Sequence, residues 1–404
     1  MKVKTGWLAI ILMLFLINLA ACNSAEAASA DEVQTAPPAV EASAPTLEAV
    51  PQPDGLPNGV LVDTQTGSNL IIYNTYGQVA YALDIPGIGS YTAQKAHLAG
   101  SGDNAPLVYH SWDPEQSLRV NRQGSVSTLR PTDAFFGMAG ANGQSALAFS
   151  EVVVDGAGPH SYLYAGSLDN IGSAAPFYDF NDENMQIALL PVAVDAQANQ
   201  PQTVWYTQAA WGIGGVDLIF PITRGLYAFA LNSSQISQAL DPGRNFQGIS
   251  PDMRFAGSTT FDAQADQSMT ITDISGGHEI IFPLRADSER GSGYTVFSPN
   301  SQLAAWLEAG GSFAAEPSTY HSVVRVGETL NGAVDYDIED SSVAQALNQP
   351  QITFMKPVGW LDNQTLLIEA RTTDWGHVVL VRASLAEGTL AYFCDGSFVD
   401  FSYP

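Results

Sequence analysis

From Asn58 onward, short apolar runs alternate with clusters of Gly, Asn, Asp and Pro. The first three runs are Gly59-Val60-Leu61-Val62-Asp63, Asn69-Leu70-Ile71-Ile72-Tyr73 and Gln78-Val79-Ala80-Tyr81-Ala82-Leu83. They are rich in Val, Ile and Tyr, residues that suit a pleated surface, and each is too short for a stable helix. No long helical period occurs, and only residues 341–347 leave room for one or two helical turns. The pattern predicts an all-β protein. Phe177-Tyr178-Asp179-Phe180 reads as part of a long aromatic loop between two strands.

The turns between the runs recur. Ile249-Ser250-Pro251-Asp252-Met253-Arg254-Phe255-Ala256 parallels Phe297-Ser298-Pro299-Asn300-Ser301-Gln302-Leu303-Ala304-Ala305-Trp306. Proline presets φ for a tight turn, and Asp or Asn tolerates its bent positions. Weaker versions occur at Asn104, Asn142, Asn199 and Asp362, so six turns are spaced 38 to 62 residues apart. Each is followed by one or two more strands. A four-stranded unit of roughly 40–60 residues is the spacing of a propeller blade. The phrase around Ser298-Pro299-Asn300 resembles the repeat of TolB-like and WD-type β-propellers, where Ser-Pro-Asp-Gly precedes Leu-Ala-(Phe/Trp). The resemblance implies a β-propeller over residues 58–404 and carries no activity. Six turns plus the strand group 59–85 imply seven blades. Six blades follow if 59–85 completes the C-terminal blade, and a pair of β-sandwiches is the competing architecture.

The first 57 residues read differently. Lys2 and Lys4 precede an apolar stretch, residues 7–19, that is shorter than the ~20 residues of a membrane-spanning helix. Leu19-Ala20-Ala21-Cys22 follows and resembles the lipobox of bacterial lipoproteins. The resemblance implies cleavage of residues 1–21, lipid on the Cys22 thiol and a domain held outside the cytoplasm on a membrane, inner or outer. The alternative is an ordinary secretory signal cut near Ala25, Ala27 or Ala28. Residues 23–57 contain six prolines, nine alanines, six acidic residues and no Lys or Arg, and so read as a self-repelling tether. With Cys22 given to lipid, Cys394 is left without a partner for an internal disulfide, and its apolar setting reads as a buried inert thiol.

Charge narrows the function. The chain has 15 Lys+Arg against 41 Asp+Glu, a formal net charge of -26. That excludes nucleic-acid binding, which needs clustered cations. Six of the acids lie in the tether, so the excess sits mainly on the β-domain, which neutral or cationic partners suit best. No Gly-x-Ser-x-Gly, His-Glu-x-x-His, Cys-x-x-Cys or phosphate-loop motif occurs, and neither does the Ser-x-Asp-x-Gly-x-Thr-Trp box of sialidases. TolB-like propellers also precede a hydrolase domain in relatives of prolyl oligopeptidase. No α/β domain follows the repeat here, so that activity is not expected.

The six histidines lack ligand spacing. Asp179-x-Asn181-x-Glu183 and Asp335-x-Asp337-x-Glu339-Asp340 place oxygens at alternate positions but lack the Gly and terminal Glu of an EF-hand. They read as solvated acidic loops with calcium as the alternative, and no cofactor is expected. The candidate ligand-binding residues lie in aromatic, Gly-rich loops: Trp211, His321, Arg371, Asp374, Trp375 and His377. Indole, guanidinium and carboxylate together can stack on and hydrogen-bond a sugar or a peptide. The sequence thus reads as a membrane-tethered, non-enzymatic binding or scaffold propeller of the bacterial envelope. The alternative is a carbohydrate-binding or glycan-active surface protein with two carboxylates about 5–10 Å apart at the channel mouth.

Overall fold

A computed structural model describes residues 55–64, 69–85, 96–102, 104–111, 117–122, 125–132, 134–155, 158–181, 187–210, 219–262, 267–313, 315, 318–372 and 377–404. The lipobox and nearly all of the tether lie outside them. The described residues form seven four-stranded antiparallel sheets. Blade one takes β1 (Gly59–Asp63), β2 (Asn69–Asn74) and β3 (Val79–Asp84) from the start of the domain. Blade two is β4 (Ala96–Leu98), β5 (Leu107–His110), β6 (Ser117–Arg122) and β7 (Ser125–Pro131). Blade three is β8 (Phe135–Gly140), β9 (Ala146–Asp155), β10 (Gly158–Ser167) and β11 (Tyr178–Asn181). Blade four is β12 (Ile187–Gln197), β13 (Gln200–Ala210), β14 (Thr223–Ala230) and β15 (Gln235–Leu240). Blade five is β16 (Arg244–Ile249), β17 (Phe255–Thr260), β18 (Met269–Asp273) and β19 (Glu279–Phe282). Blade six is β20 (Gly291–Phe297), β21 (Leu303–Gly310), β22 (His321–Glu328) and β23 (Val334–Glu339). After a short helix α1 (Asp340–Ala346), blade seven is β24 (Ile352–Trp360), β25 (Thr365–Thr372), β26 (Val378–Ser384) and β27 (Thr389–Asp395).

The last strand, β28 (Ser397–Ser402), returns to blade one and pairs with β1, Gly59 opposite Ser402 and Asp63 opposite Ser397. The first strands of successive blades touch around a central channel, and β28 occupies that inner position in blade one. Blade seven meets blade one where a side chain at Gly359 would strike the Phe401 ring. The ring is therefore closed, a seven-bladed β-propeller and not a pair of sandwiches. The group 59–85 does join the C-terminus, as the six-blade alternative supposed. It joins a single extra strand, however, because blade seven is already complete.

Burial follows radial position. A blade is covered on both faces by its neighbours, so its middle strands read as nearly continuous apolar runs. β21 is buried at every position but its first, whereas the outer strand β7 is exposed or half-buried throughout. Separate apolar clusters fill the gaps between blades. Leu61, Leu107 and Tyr109 join blades one and two, and Val324, Met355 and Ile368 join blades six and seven. Val60, Leu380 and Phe393 close blade seven onto blade one.

All six turns recognised in the sequence fall between the first and second strands of blades two to seven. In two of them a serine stitches the corner. Ser250 Oγ accepts the N–H of Phe255 at 2.8 Å, and Ser298 Oγ accepts that of Leu303 at 3.0 Å. Met253 and Ser301 then sit at φ +57 before the second strand begins. Asparagines clasp adjacent turns: Asn199 Oδ1 accepts the Ser145 N–H, and Asn363 Oδ1 accepts that of Asn300. The expected helical turn is α1. The expected loop at Phe177–Phe180 is instead largely the outer strand β11, with Phe177 packed on Phe229. Its short, half-polar character is that of an edge position.

Candidate functional site

Antiparallel order puts the first-to-second strand turns on one face of the ring. The second-to-third strand loops and the crossovers between blades emerge on the other. Of the six sequence-predicted ligand residues, the three described ones belong to loops or strand ends of this second face, in blades six and seven. Trp211, Asp374 and Trp375 lie outside the described residues. His321, Arg371 and His377 are described, and their settings differ.

His377 turns to the outer strand of its blade, where Nε2 lies 3.0 Å from Asp395 Oδ1. His321 is held between two carbonyls, Nδ1 at 3.2 Å from Thr319 O and Nε2 at 2.7 Å from Asp287 O. Burial alone would lower its pKa, but the two carbonyls and the carboxylates of Asp287 and Asp340 outweigh it and raise the value. Both ring nitrogens must donate here, which favours the imidazolium. Because the folded pKa is raised, its stabilisation is fully present below the unfolded value near 6.5 and fades as pH rises through the folded one. Comparing denaturant unfolding of the wild type and His321→Ala should show a stability gap at pH 5.5 that has narrowed by pH 8.5.

Arg371 joins a cluster that no local motif announced, centred on Tyr294. The register of β20 with β21 slips between Gly293 and Val296, so Tyr294 and Thr295 form a bulge. Tyr294 adopts φ +55, a strained value for a bulky residue, and its N–H donates to Gln247 Oε1 at 3.0 Å. The bulge fits because blade five presents glycine there: side chains at Gly248 or Gly257 would collide with Thr295. The bulge sets the Tyr294 ring between Phe220 and Phe354, at centroid distances of 6.0 and 6.2 Å. Lys356 Nζ lies 5.5 Å from the Tyr294 centroid and 3.6 Å from Glu369 Oε1. Glu369 is buried and also accepts the Phe398 N–H at 3.1 Å. Burial pushes the Tyr294 hydroxyl up to about 12, with Glu369 adding to the rise and Arg371 opposing it.

The cluster combines half-buried aromatic faces with two cations, in a domain that is otherwise strongly acidic. Lys356 is one of four lysines in the chain and the only one among the described residues. That rarity was a usable signal. Gly291-Ser292-Gly293 before Tyr294 was another, since glycine within a strand often marks a bulge.

The opposite mouth holds a cavity of about 800 Å³. Gly55 and Pro57 help to line it, so the chain reaches the domain on this side. Asp195 is the sole carboxylate among the described residues lining it. Glycoside hydrolysis with paired acids needs two. Three carboxylates of the two acidic stretches form ion pairs. Asp179 pairs with His160 at 2.9 Å, while Asp337 and Glu339 pair with Arg285, and Asp337 also with Arg325. Cys394 is buried on β27, and burial, with the neighbouring Asp395, pushes its thiol up to about 12. Such a thiol stays protonated and unreactive at neutral pH.

The chain is thus a seven-bladed β-propeller. No family model matches its sequence, and no curated protein does. Solved structures share the architecture. TolB from Acinetobacter baumannii is 14% identical with a TM-score of 0.42, covering 71% of this chain and 64% of that one. The periplasmic gluconolactonase of Pseudomonas aeruginosa is 13% identical with a TM-score of 0.48, covering 85% and 98%. A prolyl endopeptidase is 10% identical with a TM-score of 0.55, covering 85% of this chain and 51% of that one. At such identities the likeness is one of fold alone. The chain spans less than two thirds of the length of the A. baumannii TolB.

Proposed function

We propose that this protein is a lipid-anchored, extracytoplasmic propeller that binds an envelope partner at the mouth remote from its tether, and that it acts as a binding or scaffold protein and not as an enzyme. One observation carries the reading. The bulge at Tyr294 costs backbone strain to hold an aromatic and cationic cluster open at that mouth. The lipobox at Cys22 supports the location, since the tether then joins the opposite face. The half-buried rings of Phe220, Tyr294 and Phe354 also suit stacking on a sugar, so a glycan is the second partner class.

Two variants of the full chain, made in a bacterial host, test the two halves of the proposal. Cys22→Ser should lose incorporation of a palmitate analogue and leave the membrane fraction. Unchanged labelling and fractionation would refute the anchor. Trp375→Ala combined with Arg371→Ala should abolish retention on isolated envelope material while the thermal unfolding midpoint stays near that of the wild type. Retention at the wild-type level, or collapse of the fold, would show those loops to be structural.

A further inference from the structure

The cavity on the tether side has a chemistry of its own, which the proposed binding mouth does not use. Its volume, about 800 Å³, lies within the range of small-molecule sites. The half-buried rings of Phe401 and Tyr403 contribute aromatic surface to it, and Val192 and Met253 contribute apolar surface. No Lys, Arg or His lines it among the described residues. Its one ionisable acid is Asp195, near the end of inner strand β12. The register of β12 with β13 slips just after Asp195, which pairs with Thr203, while Gln202 on β13 bulges with no residue opposite it. Among the described residues, no hydrogen-bond donor or cation partners its carboxylate.

A half-buried carboxylate without a partner is costly, and burial raises its pKa. A neighbouring arginine or lysine would remove the cost, as happens at Glu308 and Glu369 of this same protein. Here the carboxylate instead borders an open cavity across from aromatic rings. The domain around it carries a large excess of acid, which concentrates cations in a concave channel. A divalent metal fits poorly, because calcium favours several carboxylates among its six to eight oxygens and this lining offers one, beside neutral amides and hydroxyls such as Asn142, Gln144 and Ser250. An ammonium group on an apolar body suits this mixed lining: its charge faces Asp195, its N–H groups can donate to the neutral amides, and its body can rest on Phe401, Tyr403, Val192 and Met253.

We propose that this cavity binds a small organic cation, an ammonium carried on an apolar or aromatic body, with Asp195 as its counter-ion. The ammonium can belong to a free amine or to a lysine side chain of a peptide, and the choice of probe separates them.

The test is calorimetric titration of the full-length chain at low ionic strength with three probes: phenethylammonium, Nα-acetyl-lysine methylamide and the neutral 2-phenylethanol. The expected result is saturable binding of at least one ammonium probe, weakened ~10-fold or more in Asp195→Asn. Binding of phenethylammonium alone assigns a free aromatic amine, and binding of the lysine probe alone assigns a peptide. The neutral alcohol should not distinguish wild type from Asp195→Asn. Asn is nearly isosteric and relieves an unpaired charge, so this variant should fold at least as stably as the wild type. Phe401→Leu, which keeps apolar volume and removes the ring, should also weaken the ammonium probe and not the alcohol. Absence of saturable ammonium binding, or equal affinity in wild type and Asp195→Asn, would overturn the proposal.

Discussion

Deleting residues 397–404 should abolish cooperative folding. The segment supplies β28, the inner strand of blade one, and its loss removes the strand that pairs the two ends of the domain. Val60 and Val62 lose Phe398 and Phe401, which pack against their cluster. Glu369 loses the Phe398 N–H, and the Leu98 N–H and His97 lose the Asp400 carboxylate. The inner edge of β1, apolar along Val60, Leu61 and Val62, becomes an unpaired template for aggregation. A domain is stable by only ~5–15 kcal/mol, and these losses together exceed that margin. Scanning calorimetry of the intact chain should give a cooperative transition. The truncated chain should be insoluble or show none. A truncated chain that melts cooperatively near the wild-type temperature would mean that the ring does not depend on this closure.

The second large effect is expected at Arg325→Ala. Glu308 is fully buried on β21, and its carboxylate has three donors: Arg325 Nη1 at 2.7 Å, Trp306 Nε1 at 3.1 Å and the Arg285 N–H at 3.0 Å. Arg325 is itself buried and also reaches Pro283 O and Asp337. Its guanidinium thus ties the second, third and outer strands of blade six to the end of blade five. Removing it leaves a buried, uncompensated carboxylate, which costs ~3–5 kcal/mol. Replacing both partners, Arg325→Met with Glu308→Leu, removes the stranded charge and should cost clearly less than the single variant. Equilibrium denaturation of the three proteins checks this. A double variant that loses as much stability as Arg325→Ala would show that the stranded carboxylate is not what the single variant costs.

How much of this was legible in the sequence depends on how local each feature is. The Ser-Pro-Asp and Ser-Pro-Asn corners were readable because a turn is specified by a few neighbouring residues, and every turn identified proved to be the same corner of a blade. The apolar middle strands were readable for a related reason, since burial on both faces leaves a continuous apolar run. Ring closure was harder: Val62 pairs opposite Phe398, and nothing near either residue announces the other. The outer strand β11 reads as loop in the sequence because an edge strand lacks the apolar density of the strands it flanks. The cluster around Tyr294 of blade six draws Phe220, Gln247, Phe354, Lys356 and Arg371 from three other blades, so no spacing rule could find it. The unpaired state of Asp195 is also a property of the fold, because the chain offers 41 acids and no local sign of which one lacks a partner.

The central claim is that the mouth remote from the tether is where a partner binds. In-cell photocrosslinking tests it most directly, with p-benzoylphenylalanine placed at position 354 beside the cluster or, as a control, at position 392 on an exposed outer strand. The expected result is a discrete, light-dependent adduct from position 354 that is absent from position 392 and lost when Arg371→Ala and Trp375→Ala are added. Adducts that are equal at both positions, or absent from position 354, would contradict the claim.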